Sequence, residues 1–177
     1  MSALTVGIVD YGVGNLASVY HALHGMGYRC RVSREFEVLN ATDLLLLPGV
    51  GAFPAAMQAL HECRLVEYLQ QQVRQERPVV GICLGMQLLA DAPTEFGLTA
   101  GLGLIPGRVS ALPNAHWHIG WNTIEVLDAE PLLQASDGQA LYFNHSYVFE
   151  PAREHQIGLV RLGADPLTAA VRRGNVV

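Results

Sequence analysis

The residues best placed to do chemistry lie in Gly81-Ile82-Cys83-Leu84-Gly85-Met86-Gln87. From Pro78, the run Pro-Val-Val-Gly-Ile-Cys has the β-branched apolar character of a buried strand, and Leu-Gly-Met-Gln-Leu-Leu continues in helix formers. Gly-x-Cys-x-Gly between a strand and a helix is the pattern of a nucleophile elbow, with sulfur in place of oxygen. The sharp turn forces the nucleophile into a strained backbone conformation, and Gly81 and Gly85 leave room for strand and helix to approach each other. Cys83 then stands exposed at the carboxyl end of its strand. There the first amides of the following helix stabilise negative charge on the sulfur or on an oxyanion beside it. The five-residue pattern alone leaves a second reading open, a buried structural cysteine, because free Cys is among the most buried residue types.

Three other stretches carry chemistry-bearing types. In Pro48-Gly49-Val50-Gly51, two glycines around one residue permit unusual dihedrals and an amide-lined hole for an oxyanion; an ordinary strand-to-helix turn is the alternative. Gly12-x-Gly14 suggests a dinucleotide fingerprint, but position 17 is Ala and no acidic residue closes a next strand, so a nucleotide site is not expected. In His116-Trp117-His118, alternate residues of a strand share one face, yet two imidazoles without a third ligand make a poor metal site, and none is assigned. Trp121, with Ile119 as its same-face neighbour, is either a core residue or an exposed anchor for a protein partner.

The elements that must position these residues follow from periodicity. Leu4 to Asp10 is a short apolar run ending in a Gly-rich turn, as a buried parallel strand would. Asn15 can cap a helix in which Leu16, Val19, Tyr20, Leu23 and Met26 recur at helical spacing, with Gly25 and Gly27 at its end. Tyr28 to Val32 predicts a second strand and Asp43 to Leu47 a third that breaks at Pro48. Helical stretches follow at Phe53 to Leu60 and Leu65 to Glu76, then the elbow strand and a helix through Leu89 and Ala90. Apolar strands alternating with helices argue for a parallel sheet covered on both faces, with the site at the carboxyl ends of its strands.

After Asp91 the pattern changes. Gly97, Gly101, Gly103, Pro106 and Gly107 punctuate a loop-rich region. Strand-like runs then come at Arg108 to Ala111, Ile119 to Val126, Leu141 to Phe149, Ile157 to Leu162 and Leu167 to Val171. No helical pattern separates them, which predicts antiparallel additions to the sheet or a small attached sheet.

Composition bounds the rest. A chain of 177 residues, 50% hydrophobic and 15% charged, supports one substantial core and is short for two domains. No apolar run approaches bilayer length, and Met1-Ser2-Ala3-Leu4 opens into a strand without a basic signal region, so no membrane span or signal peptide is expected. Cys30, Cys63 and Cys83 fit no disulfide or metal spacing, which suits a reducing compartment and predicts the cytoplasm. A formal charge of −5 without a Lys/Arg cluster gives no nucleic-acid footprint.

Residues 81–87 closely resemble the nucleophile motif of class I glutamine amidotransferases, the triad type that releases ammonia from glutamine. Asp10-Tyr11-Gly12-Val13-Gly14-Asn15-Leu16 looks like the opening signature of one subfamily, the glutaminase subunits of imidazole glycerol phosphate synthases. Pro48-Gly49-Val50-Gly51, His118-Ile119-Gly120-Trp121-Asn122 and Tyr142-Phe143-Asn144-His145-Ser146-Tyr147 fall in that subfamily's order and approximate spacing, and together the motifs span nearly the whole chain. The resemblance implies a single α/β domain over residues 1–177: a doubly wound, mostly parallel sheet with helices on both faces and additional antiparallel strands in the C-terminal third.

It also implies a reaction. Cys83 would attack the side-chain amide of glutamine, backbone amides at Val50 and Leu84 would hold the oxyanion, and Gly51, Gln87, Ser146 and Tyr147 would position the substrate, with His145 in the same stretch. No cofactor is implied. The implied partner is a cyclase subunit of (β/α)8-barrel type, in a heterodimer that receives the ammonia for histidine biosynthesis. Asp10, Asn15 and Trp121 lie near that contact, and the resemblance favours Trp121 as an anchor.

In one respect the sequence departs from the family. The family's catalytic histidine and glutamate lie in a Phe-His-Pro-Glu-type motif a handful of residues beyond the stretch matching Asn175-Val176-Val177, and none of the seven histidines here occupies such a motif. The expectation is a chain lacking its C-terminal strand and helix, with the triad partners beyond Val177. Loss of one triad member removes about ten-thousand-fold or more of the rate, so little activity is expected of the sequence as written. Two alternatives stay open: a non-catalytic relict that docks on the cyclase, and a different cysteine hydrolase using His145 as its base.

Overall fold

The computed structural model describes residues 4–91, 99–128 and 130–177; Gly97 of the loop-rich region lies outside them. Strands β1 (Thr5–Val9), β2 (Arg29–Ser33), β3 (Leu44–Gly49) and β4 (Val79–Cys83) form a parallel sheet in the order β2-β1-β3-β4. Asn175–Val177 run beside β4: Val79 N–H donates to the Asn175 carbonyl at 3.0 Å and Gly81 N–H to the Val177 carbonyl at 2.8 Å. The third strand does not break at Pro48 as its sequence suggests. Pairing with β1 ends at Leu46, so Pro48 lies beyond that ladder, and the strand continues beside β4 to set Gly49 opposite Cys83.

Alternation within the strands divides the sheet into two faces. Val9, Leu45, Leu47 and Val79 point toward α2 (Phe36–Asn40), α3 (Phe53–Glu62) and α4 (Leu65–Arg74), where Leu39, Met57, Leu60, Leu65 and Leu69 complete a wholly buried core. Each such leucine contributes about 1.5–3 kcal/mol by leaving water. Val6, Ile8 and Leu46 face the other way, under α1 (Leu16–Gly25), whose Leu16, Val19, Tyr20 and Leu23 are only partly covered. Asn15 caps α1 as its sequence predicts, its side-chain oxygen accepting the Ser18 N–H at 3.3 Å.

The helix after the elbow, α5 (Leu84–Gln87), is shorter than expected. Its continuation is diverted because the carbonyls of Leu88, Leu89 and Ala90 are taken by the amides of Leu102, Leu104, Ile105 and Gly103. Beyond that point the strands pair antiparallel, as the sequence indicates, with parallel bridges only at Ala90–Ile105 and Val79–Val176 among the described residues: β5 (Gly107–Ala111) pairs with β9 (Tyr147–Pro151), β6 (His118–Thr123) with β8 (Ala140–His145), and β10 (Gln156–Leu162) with both β7 (Glu125–Val126) and β11 (Asp165–Val171). Two runs that read as single strands are each divided, at Ile124 and at Ser146. Leu112, Ile124, Val148, Val160 and Leu167 give this region its own small core. No helix among the described residues is long and apolar enough to cross a membrane.

Candidate active site

Cys83 ends β4 with φ 57° and ψ −117°, a backbone state that costs a non-glycine residue on the order of 1–3 kcal/mol and persists only where its surroundings enforce it. The surroundings here are two glycines. A Cβ on Gly85 would sit 1.8 Å from the Leu47 carbonyl oxygen, and one on Gly81 would sit 2.6 Å from the Gly85 carbonyl oxygen. Strand and helix therefore touch through bare backbone on both sides of the cysteine, as the Gly-x-Cys-x-Gly pattern requires. Cys83 is exposed, whereas Cys30 and Cys63 are half-buried, and this removes the structural-cysteine alternative.

The sheet register brings the second glycine motif to the nucleophile. Gly49 pairs with Cys83, so Val50 and Leu84 follow on adjacent chains at the same level of the sheet. Gly51 has φ +90°, a conformation open to glycine. The loop is held from beneath by Tyr11, a buried residue whose hydroxyl donates to the Pro48 carbonyl at 2.7 Å. Burial, and secondarily the charge of Cys83, pushes the Tyr11 phenol well above its ordinary range, so it stays a neutral donor. Tyr11 is the supporting residue that sequence reasoning missed; an aromatic at the carboxyl end of an apolar strand, beside Gly12, was the available signal.

Two cavities meet at Gln87. One, of about 340 Å³, is lined by Cys83, Met86, Gln87, Tyr142, His145 and Tyr147 among others. The other, of about 270 Å³ and mostly apolar, is lined by Gly51, Phe53, Gln87, Val109 and Tyr147. The structure thus brings Cys83, Gly51, Gln87, His145 and Tyr147 together. Ser146 sits at the exposed corner between β8 and β9 and does not line either cavity, and Val50 is exposed at the loop tip. A larger open depression of about 720 Å³ lies at the amino ends of the strands around Arg77, away from Cys83.

The imidazole of His145 is fully engaged. Its Nδ1 lies 2.8 Å from the Tyr147 carbonyl and its Nε2 lies 2.9 Å from His118 Nδ1. No free ring nitrogen is left to face Cys83, which argues against His145 as a general base. His118 is buried and likewise occupied on both nitrogens, its Nε2 lying 3.1 Å from the Asn122 amide nitrogen, while His116 lies exposed before β6. Among the described residues no group of three or more potential metal ligands converges.

The three partner-contact candidates divide. Asp10 is partly exposed, accepting the Gly12 N–H at 3.0 Å and pairing with Arg34 at 3.5 Å, and Asn15 caps α1. Trp121 is 73% exposed, its ring meeting Tyr142 edge-on at 5.6 Å across the β6/β8 pair, with Ile119 exposed on the same face. It is not a core residue.

Comparison with known proteins agrees with this geometry. The family model for glutamine amidotransferase class-I matches residues 7–171. The chain is 40% identical over 173 residues to the imidazole glycerol phosphate synthase subunit HisH of Streptococcus gordonii, covering 96% of this chain and 83% of that protein. It is 42% identical over 174 residues to the protein of that name from Lacticaseibacillus casei, with the same coverage, and 38% identical over 173 residues to that of Methanothermobacter thermautotrophicus, covering 97% and 86%. In fold it superposes on a solved glutamine amidotransferase with a TM-score of 0.74 at 21% identity, covering 97% of this chain and 86% of that one. It superposes on PurLQS from Thermotoga maritima with a TM-score of 0.72 at 15% identity, covering 99% and 85%. With its strained cysteine elbow and the glycine loop set opposite it, the chain belongs to the class-I glutamine amidotransferase family, among the HisH subunits of imidazole glycerol phosphate synthase.

Proposed function

We propose that this protein hydrolyses glutamine to glutamate and ammonia and hands the ammonia to a cyclase subunit that makes imidazole glycerol phosphate in histidine biosynthesis, in the cytoplasm. The observation that carries the proposal is Cys83, held exposed in its strained turn with Gly51 and Gln87 on the walls beside it. The thiolate attacks the amide carbon, and the amides of Val50 and Leu84 receive the oxyanion. Gly51, Gln87 and Tyr147 border the space for the glutamine, with Ser146 and His145 at its margin. The partner is a (β/α)8-barrel cyclase in a heterodimer, docking near Asp10, Asn15 and Trp121.

A proton donor for departing ammonia is still required. His145 is the histidine on the Cys83 cavity among the described residues, and both its nitrogens are committed. We place the histidine and glutamate of the triad on a strand continuing the segment Asn175–Val177, which bridges β4 at Val79. The test measures glutamate production, with the cyclase present, for residues 1–177 and for a chain continued by a Phe-His-Pro-Glu strand and helix. Activity in the longer chain that Cys83→Ala abolishes supports the proposal. A longer chain that remains inactive, or activity that survives Cys83→Ala, overturns it.

A further inference from the structure

We propose that Asn122 and His118 are positioning residues of the Cys83 cavity, because they run a one-way hydrogen-bond chain through His145 onto the Tyr147 carbonyl that also holds Gln87. Gln87 Nε2 donates to that carbonyl at 3.1 Å, and His145 Nδ1 lies 2.8 Å from it. One oxygen therefore joins the nucleophile helix α5 to the β6/β8 pair.

The direction of the chain is fixed at both ends by carbonyls. A carbonyl only accepts, so His145 Nδ1 carries the hydrogen and, in a neutral ring, Nε2 accepts. His118 Nδ1, 2.9 Å away, must then donate, which leaves His118 Nε2 as an acceptor. Asn122 Nδ2 supplies that hydrogen at 3.1 Å and sends its other to the Arg161 carbonyl at 2.7 Å. Every donor meets an acceptor, and both imidazoles are held as Nδ1–H tautomers. A proton added to His145 Nε2 would face the N–H of His118, and one added to His118 Nε2 would face the Asn122 amide, so either protonation breaks a link.

The surroundings of His118 favour its neutral ring. Phe143 of β8 stacks on His118 at 4.9 Å, and from β10 Arg161 presents its carbonyl while its guanidinium turns to Glu125 of β7. Tyr147 of β9 offers its carbonyl, Cys83 of β4 shares the cavity with His145, and His116 lies out beside Trp117. Among the described residues no carboxylate bonds either ring. Burial, then the neighbouring His145, pushes the His118 pKa down. A base held below its ordinary value of about 6.5 adds stability in full above that pH and loses it as pH falls through the folded value, because the unfolded chain takes the proton first. The wall that carries Gln87 is thus firm at neutral pH and loosens in acid.

The functional meaning of the chain rests on the Cys83 cavity being the reaction site; its direction does not. The test is long-range ¹H–¹⁵N spectroscopy of the full chain labelled with ¹⁵N at histidine and glutamine between pH 8 and 5, with the Gln87 side-chain amide followed in parallel. At pH 7.5 both His118 and His145 are expected as Nδ1–H tautomers, and the Gln87 signal is expected to move with the midpoint of His118 protonation. Asn122→Asp replaces the donor by an acceptor, and should raise that midpoint by one pH unit or more. An Nε2–H tautomer in either ring, or a Gln87 signal indifferent to His118 protonation, overturns the proposal using the unmodified chain alone. Glutamine hydrolysis is not a readout, so a failure of the proposed activity and a failure of this chain are separate results.

Discussion

The hydroxyl of Tyr11 donates to the carbonyl of Pro48 at 2.7 Å, and so ties the segment after β1 to the glycine loop after β3. Thirty-seven residues apart in sequence, the two meet beneath the level at which Gly49 stands opposite Cys83. The bond lies in the buried interior, where its loss leaves a carbonyl without a partner. Tyr11→Phe should therefore cost about 1–3 kcal/mol in urea unfolding. An unchanged midpoint would show that the loop needs no such support.

Gly85 and Gly25 make opposite predictions for the same substitution. Gly85→Ala forces a methyl against the Leu47 carbonyl oxygen and should destabilise the protein by about 3 kcal/mol or more. Gly25, at the end of α1, has open space around its Cβ position, and Gly25→Ala should stabilise by up to about 1 kcal/mol. Thermal midpoints of the two variants check both. A tolerated Gly85→Ala would contradict the close packing of β3 on α5.

Cys83 should be the thiol that alkylates first near neutral pH. It is exposed, while burial raises the Cys30 pKa and Cys63 is half-covered under the main core. Peptide mapping after limited iodoacetamide treatment reads the order directly. Faster labelling of either other cysteine would count against the elbow.

Trp121→Ala should weaken binding to the cyclase by roughly 2 kcal/mol or more, about thirty-fold in Kd. The thermal midpoint of the free protein should barely change, since the ring is mostly in solvent and its contact is the edge of Tyr142. Equal affinity of the variant in a titration would remove Trp121 from the interface.

The elbow was legible because its pattern is local: Gly81 and Gly85 meet each other within five residues around Cys83, although the carbonyl that Gly85 meets across the sheet, that of Leu47, is not part of the pattern. The parallel half of the fold was legible for a similar reason, its strands and the helices α1, α3 and α4 declaring themselves by their own period, while the five-residue α2 is too short to show one. The length of α5 was not, since Leu88 to Ala90 have the composition of a helix and are drawn away by residues 102–105. His118 presented itself as half of a weak metal pair with His116. Its actual partner, His145, is set by a cross-strand register 27 residues distant that no spacing reveals. Tyr11 was hidden in the same way, because its value lies in a carbonyl it meets only after β1 and β3 are side by side.

The two faces of the parallel sheet are gripped unequally. On one, α3 and α4 sink wholly buried side chains into the core; on the other, α1 rests on Val6, Ile8 and Leu46 without burying any residue of its own completely. Local unfolding follows the weaker grip, so α1 is expected to open at lower cost than α3 or α4 on the opposite face. The loop Asp10–Asn15 leads directly into that helix, and Asn15 caps it. An opening of α1 would therefore reach the edge of the sheet beside the first glycine motif while leaving the packing of β3 and β4 on α5, and the strained turn at Cys83, in place.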